Sequence, residues 1–326
     1  MKPAFKITVN GSDITEVIAG RLVQLAVTDE AGVNSDRVEI KLDDRDQRLS
    51  IPPTKATMTV EIGYQGSPLV DKGTFTIEDI ELTGPERTMT LRGTSMGASK
   101  GAGASRDVSW NDTTLGKIAA SIASRHGWKL AISKELADVQ IDQAEQNEND
   151  LQFLSRLAAE NDAVAKVANG RLVINPHASG KRVSGGEMPV VELVADQLTD
   201  WSMTIVERGN YAGVKATYYN LKEGDRGTVV DGEDTVNTTT LPHTFKDKKA
   251  AIKAAKSRSR ALKRHRSTLS IYNMPGVAEL RAETKANVKG LRAGVDGIWL
   301  INRVVHRLTD SGYTCAVDCE TPQSEK

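Results

Sequence analysis

The sequence predicts an α+β fold that is mostly β, with one β module used twice and a small α/β unit and a basic helix set between the two uses. Three observations carry this expectation. Residues 1–108 alternate polar and apolar side chains at the period of a strand. The stretch Gly73-Thr74-Phe75-Thr76-Ile77-Glu78-Asp79-Ile80 is echoed by Gly297-Ile298-Trp299-Leu300-Ile301-Asn302-Arg303-Val304, and each runs through a polar turn into a returning strand. Between them, over 109–176, the apolar spacing becomes helical.

In chain order, 5–9, 22–27, 37–42, 57–62, 74–82 and 88–92 read as strands. Val38-Glu39-Ile40-Lys41-Leu42 and Met58-Thr59-Val60-Glu61-Ile62 keep period two unbroken, and Asn10-Gly11, Gly63, Gly66 and Gly84-Pro85 punctuate the series. Short strands at this spacing favour a barrel or a sandwich over an open sheet. Their polar faces meet either bulk water or a water-filled lumen. Residues 97–105 read as a small-residue linker. They contain the Gly-x-Ser-x-Gly pattern around Ser99, but a second glycine–alanine run follows where nucleophile chemistry needs a helix. No Gly-Lys-Ser/Thr ends the run, so it is not a phosphate loop either.

Further on, Asp112 or Thr113 can cap a helix that carries Leu115, Ile118, Ala119 and Ile122 on one face and ends near His126-Gly127. A strand over 128–132 follows. A second helix covers 149–161, with Leu151, Leu154, Leu157 and Ala158 at helical spacing and Phe153 beside them. Residues 164–168 and 171–174 flank Asn169-Gly170, a dipeptide that readily takes the two positive φ angles of a type I′ hairpin turn. Residues 177–200 are loop-rich. Strands return at 201–206 and 211–219, Gly224-Asp225-Arg226-Gly227 makes a turn, and 246–266 is helical. Residues 269–272, a Met274-Pro275-Gly276 turn and the final hairpin complete the chain.

At 326 residues the chain holds two or three domains. Its net charge is zero, so no whole-molecule field selects nucleic acid or membrane. No apolar run is long enough to span a bilayer, and the start lacks the apolar core of a secretion signal. Cys315 and Cys319 lie on one face of a predicted strand but ~13 Å apart at strand rise, beyond disulfide reach. They read as free thiols made in a reducing cytoplasm.

The five histidines, His126, His177, His243, His265 and His306, show no metal spacing, and there is no Cys-x-x-Cys or His-Glu-x-x-His. His306 sits among Val304, Val305 and Leu308 and reads as structural. Acid pairs such as Asp43-Asp44 and Glu78-Asp79 fall at strand ends or on polar strand faces. No catalytic constellation, cofactor motif or metal site emerges, and the chain reads as no enzyme. The charged feature left over is 246–266. Its ten bases against one acid, Asp247, give it +9, so the remainder carries −9. Ile252, Ala255, Ser259 and Leu262 supply a narrow inward stripe. Lys253, Lys256, Arg260, Lys263 and Arg264 are the candidate interaction residues. The segment is a docked helix with a solvated outer face, a contact for an acidic protein partner, or a nucleic-acid stripe; the last lacks interleaved aromatics.

These residues carry a resemblance. Ser109-Trp110-Asn111-Asp112-Thr113-Thr114-Leu115-Gly116 with Ile118-Ala119 and His126-Gly127 resembles the phage late control gene D family, as does the run from Gln143 through Phe153-Leu154-Ser155-Arg156-Leu157-Ala158. The ending, Ile298 to His306 followed by Gly312-Tyr313-Thr314 and Glu320, agrees. The match spans about Trp110 to Glu320, and the first β unit matches mainly by pattern and position. That family resembles the hub of contractile tails and is similar to the hub half of type VI secretion tip proteins. The resemblance implies two tube-like β-barrel domains in one chain, at 1–108 and 200–326, the second with a helical insertion over 241–266, and an α/β insert at 109–199. It implies a homotrimer joining a sixfold tail tube to a threefold central spike. The implied partners are the chain itself, a separate central spike protein, the tail tube protein, the tape-measure protein and baseplate wedge proteins. The implied location is the baseplate of a virion or tail-like particle assembled in the host bacterial cytoplasm. No cofactor, no membrane insertion and no direct nucleic-acid contact is expected. A nucleic-acid-binding module built on 246–266 and a type VI secretion hub component are the alternatives.

Overall fold

The structure, a computed structural model, describes residues 1–32, 35–95, 104–168, 170–177, 186, 188–205, 211–220, 224–233, 235–264 and 267–321. The expected linker core at 97–103, with Ser99, and the turn residue Asn169 lie outside these residues. The first unit contains β1 (Pro3–Val9), the short β2 (Ser12–Asp13), helix α1 (Thr15–Ala19), β3 (Leu22–Glu30), β4 (Arg37–Asp43), β5 (Thr57–Tyr64), β6 (Val70–Thr83) and β7 (Thr88–Ser95). Strict alternation in β4 and β5 sends Val38, Ile40, Leu42, Met58, Val60 and Ile62 into the core and their polar neighbours outward.

The middle of the chain forms β8 (Val108–Thr114), α2 (Leu115–His126), β9 (Lys129–Ile132), α3 (Lys134–Ala137), β10 (Gln140–Gln146), α4 (Asp150–Glu160), β11 (Ala163–Ala168) and β12 (Arg171–Pro176). A three-stranded sheet, β11-β12-β9, and a β8–β10 ribbon enclose a separate core with Leu115, Ile118, Ile122, Phe153, Leu154 and Leu157. The cap of α2 is Thr114, whose side chain accepts from the Lys117 amide, rather than Asp112 or Thr113. The preceding residues are held extended by β10, which fixes where the helix can begin. Asn149 caps α4 by accepting from the Gln152 amide.

The remaining elements are β13 (Val191–Val194), a 3-10 turn (Ala195–Gln197), β14 (Asp200–Ile205), β15 (Gly213–Asn220), β16 (Asp225–Gly232), β17 (Thr238–Phe245), α5 (Lys248–Arg264), β18 (Ser267–Pro275), β19 (Lys285–Lys289), β20 (Gly297–Thr309) and β21 (Gly312–Glu320). Strands β15, β16 and β17 form a small sheet of their own, under α5. All the other strands outside the α/β unit join one 13-stranded sheet.

That sheet is a repeat. The first unit runs β3-β4-β7-β6-β5-β1 across the sheet, and the second runs β14-β18-β21-β20-β19-β13. Counted along the chain, the two orders are the same, although β13 joins β19 in parallel where β1 joins β5 antiparallel. The likeness reaches single bonds. The β6–β7 ladder shifts register at Ile77/Asp79, and the β20–β21 ladder shifts at Ile301/Arg303. The Ile77 amide donates to the Ala56 carbonyl and the Ile301 amide to the Thr284 carbonyl, both at 2.9 Å. Lys55 and Glu283, the residues before those acceptors, both take positive φ, at 71° and 65°. Gly73 and Gly297, which open the echoed stretches, share φ values of 110° and 134° that only glycine adopts without strain.

The units meet where the second half of β20 pairs with β3, from Arg303 opposite Glu30 to Thr309 opposite Gln24. One core therefore runs through both, from Leu25, Val27, Phe75 and Ile77 to Ile301, Val304 and Leu308. The ladder of the described residues is open: the edge of β3 that faces away from β4 is taken by β20 of the other unit, and no pairing closes either unit into a separate barrel. The strands β8, β10, β13, β16, β17 and β19 are not evident in the sequence. In β10, Gln-Ile-Asp-Gln-Ala-Glu-Gln is too polar to alternate clearly, and its conformation is imposed by pairing with β8.

Candidate interaction surface

Helix α5 forms because its residues are strong helix formers, alanine, lysine and arginine above all. Asp247 starts it, with its side chain accepting from the Ala250 amide at 2.8 Å. Its inner stripe is Ala251, Ala255, Ser259 and the half-buried Leu262, set on Val214 and Ala216 of β15. Ile252, expected on that stripe, is 37 % exposed. The small side chain of Ala251 lets the helix lie close on the sheet, and a 3.6-residue period that runs through 251, 255 and 259 turns 252 outward. One face of α5 also abuts the α/β unit. Ser257 Oγ donates to the Ala159 carbonyl at 3.2 Å, and Arg260 Nη1 meets Asp162 Oδ2 at 3.3 Å. Lys246, just before the helix, pairs with Asp142 of β10.

The candidate residues therefore divide. Arg260 is exposed but tied to Asp162. Lys253 and Lys256 are exposed and form no ion pair with another described residue. Partial burial of the Lys253 stem, then the charge of Lys249, lowers the pKa of its ammonium. The side chains of Lys263 and Arg264 lie outside the described residues. What remains on the outer face is a row of cations with little internal compensation, which suits a charged surface and no bond-making chemistry.

Two buried polar clusters escaped the sequence reading. In the first, Lys166 of β11 donates to Asp36 Oδ1 (2.7 Å), Asp29 Oδ1 (3.0 Å) and the Glu30 carbonyl (2.6 Å). Burial opposes the charge on Lys166, but the two carboxylates outweigh it and hold the ammonium protonated. Burial, and then the charge of Asp29, pushes Asp36 up to about 6. This cluster pins the α/β unit to β3 and to the residues just before β4. It borders a cavity of about 210 Å³ that Lys72, Arg281 and Glu283 also line.

In the second cluster, Lys72 Nζ lies 2.9 Å from His306 Nε2 and also donates to the Ala278 carbonyl. His306 Nδ1 faces the Tyr313 hydroxyl at 2.7 Å and Cys315 Sγ at 3.2 Å. Burial, then the charge of Lys72, depresses His306 to about 3. Burial lowers Lys72 to about 8, and burial raises Cys315. A neutral imidazole that accepts from Lys72 carries its proton on Nδ1 and donates it to Tyr313. A thiol held protonated beside an imidazole held neutral is the reverse of what a cysteine nucleophile needs. Cys315 and Cys319 are both buried and free, as their spacing suggested. Among the described residues no group of His, Cys, Asp and Glu could hold a metal ion, and no helix is long and apolar enough to cross a membrane.

Comparison with known proteins places this architecture. The family model of the phage tail baseplate hub (GPD) matches residues 70–312. The chain is 29 % identical to the probable baseplate hub protein of Escherichia phage 186, over 100 % of this chain and 94 % of that one. Its fold is similar to that of the 43 kDa tail protein of prophage MuSo2 from Shewanella oneidensis, with a TM-score of 0.72 at 16 % identity, covering 98 % of each chain. It is also similar to an E. coli component of the type VI secretion system, itself described as structurally similar to the bacteriophage T4 tail proteins gp27 and gp5. There the TM-score is 0.58 at 14 % identity, covering 100 % of this chain and 78 % of that one.

Proposed function

The chain belongs to the phage tail baseplate hub (GPD) family, a structural and non-enzymatic one, and from that premise we propose that it is the trimeric adaptor between a sixfold tail tube and a threefold central spike. As a member it is a baseplate hub protein of a phage-type tail. The observation that carries the adaptor reading is the repeat: six strands in one order, twice in one polypeptide, with the same register shift and the same positive-φ residues. Three such chains present six similar units to the tube and three identical faces to the spike. A chain with one unit would need six copies and could not step the symmetry down.

On this reading each unit is a tube-type β domain, the first over 1–108 and the second over 200–326 with β13 as its outermost strand; the α/β unit that ends at β12, and β15 to β17 with α5, are the insertions. The two domains curl as barrel-like sheets, and the open ladder completes itself only in the assembly. The tape-measure protein would end in the bore, and wedge proteins would meet the outside. The exposed cations of α5, Lys253 and Lys256 first among them, together with Arg260, Lys263 and Arg264, would contact an acidic neighbour, whether another copy of this chain or the tube side. The test is the oligomeric mass of the purified protein, alone and with a candidate spike, by native mass spectrometry. Three chains per complex are expected. A stable complex of two or four would overturn the adaptor role.

A further inference from the structure

The α/β unit rests on the large sheet through one face of its own small sheet. Alternation splits β11 between two surroundings. Ala163, Ala165 and Val167 join the helices in the core of the unit, while Val164, Lys166 and Ala168 turn the other way and line the cavity that borders β3. The space between the two layers is therefore not filled. About 210 Å³ is left there, with Val164, Lys166 and Val173 on the side of the unit and Val27 and Asp29 on the side of the sheet. Where protein interiors are otherwise close-packed, such a joint holds by what crosses it. Here that is the ammonium of Lys166.

Two carboxylates meet this one cation. Asp29 Oδ1 and Asp36 Oδ1 lie 3.0 and 2.7 Å from Lys166 Nζ, so they also crowd each other. The other charged groups around them do not restore the balance. Glu30, next to Asp29 on β3, is paired with Arg303, and Arg37, next to Asp36, is exposed. Glu283 adds a third carboxyl to the cavity; its Oε1 accepts from the Gly32 amide at 3.1 Å, and burial raises its pKa. Lys72 and Arg281 line the same cavity, and neither forms an ion pair with another described residue. Two carboxylates that share one site favour holding a proton between them.

We propose that this joint is a proton-operated latch: Asp36 takes a proton from solvent when the α/β unit seats on the sheet and returns it when the unit lifts, so that mild acid tightens the joint and alkali loosens it. The inference concerns the single chain and goes beyond the adaptor reading without resting on it. The direction follows from linkage. With the unit seated, burial and then Asp29 push Asp36 up to about 6. With the unit lifted, the carboxyl meets water and titrates near about 3.9. The seated form binds the proton more tightly, so its advantage grows as pH falls through about 6 and is lost as pH rises.

The test is thiol labelling of the full-length chain carrying Val164→Cys. Val164 is buried, outside the core of the unit and against the cavity, so a bulky maleimide reaches the introduced thiol only when the unit lifts. The labelling rate is divided by that of the urea-denatured chain at the same pH. The native thiols Cys315 and Cys319, buried in the large core, report unfolding of the whole chain in the same sample. Labelling of the introduced thiol is expected to be about tenfold slower at about pH 5 than at about pH 7.5, with Cys315 and Cys319 unlabelled on that timescale. Asp36→Asn, uncharged at every pH, should hold the slow rate at both, and Asp36→Asn with Glu283→Gln should remove any slope that is left. If Asp36→Asn does not fold, the slope in the Val164→Cys chain decides alone. Equal rates at the two pH values, or faster labelling in acid, overturn the latch. A slope undiminished by Asp36→Asn also overturns it, and would belong to His177 beside Glu320, the other titratable pair where the unit meets the sheet. Labelling in step with Cys315 and Cys319 overturns it as well, because the unit would then leave the sheet only when the whole chain unfolds.

Discussion

The residues that fasten the molecule together are polar ones that periodicity could not single out. Lys166 is separated by more than a hundred positions from Asp29 and Asp36, and only the fold brings them within hydrogen-bond distance. Removing one member of a buried charge cluster strands the others. Lys166→Met should therefore cost about 3–5 kcal/mol in urea denaturation; a loss below about 1 kcal/mol would show that the α/β unit is seated by its apolar contacts alone. His306 gives a pH signature. Its imidazole titrates near 6.5 in the unfolded chain and near about 3 in the folded one, so its share of stability is complete above 6.5 and is lost as pH falls toward 3. The loss attributable to this group is on the order of 5 kcal/mol across that window. His306→Leu should flatten that acid limb in pH-dependent unfolding, whatever it costs at neutral pH. The sequence placed His306 on a hydrophobic hairpin and so read it as structural. It held no trace of Lys72, which lies on another strand of the other unit and sets the charge that His306 feels.

At the level of the element, the sequence was most informative where one spacing dominated. The alternation of β4 and β5, the stripe of α2 and the two final strands were legible because their partners lie close in the chain or their faces are uniformly apolar. The short parallel β13 and the polar β10 were not, because their neighbours decide their state. Helix α5 lies between these cases. Its existence and its charge were plain, but its buried side was misjudged by one residue, since alanine and isoleucine compete for a narrow contact that propensity cannot rank. Ala255→Arg should force a charge against Val214 and Ala216 and destabilise by about 2 kcal/mol or more, whereas Ile252→Ser should change stability by less than about 0.5 kcal/mol. Thermal denaturation of the two variants separates the observed stripe from the expected one. For the outer face, Lys253→Glu with Lys256→Glu leaves the fold intact and, if α5 meets an acidic neighbour, stops the yield of sedimentable particles. Normal particles from that variant would remove α5 from the assembly contacts.

For the whole molecule, the legible part was the repeat. Gly73 and Gly297 stand out because a positive φ, inside β6 and at the start of β20, demands glycine twice, and the aromatic and isoleucine that follow enter the core twice. The seam was not legible. Nothing in β3 or in the second half of β20 names the other as its partner, so the pairing that joins the two units was no part of the expectation of two tube-like β-barrels. The place of β20 also orders events in time. It is the second from last strand to be made, since β21 alone follows it, yet it must border β19, β21 and β3. A ribosome making this protein therefore releases the whole first unit long before the strand that covers β3 exists. Nascent chains would carry that bare flank through most of translation, when clumping is the characteristic failure. A fragment ending before Gly297 should be made but recovered as insoluble material, and supplying the missing hairpin as a separate peptide should raise the soluble yield.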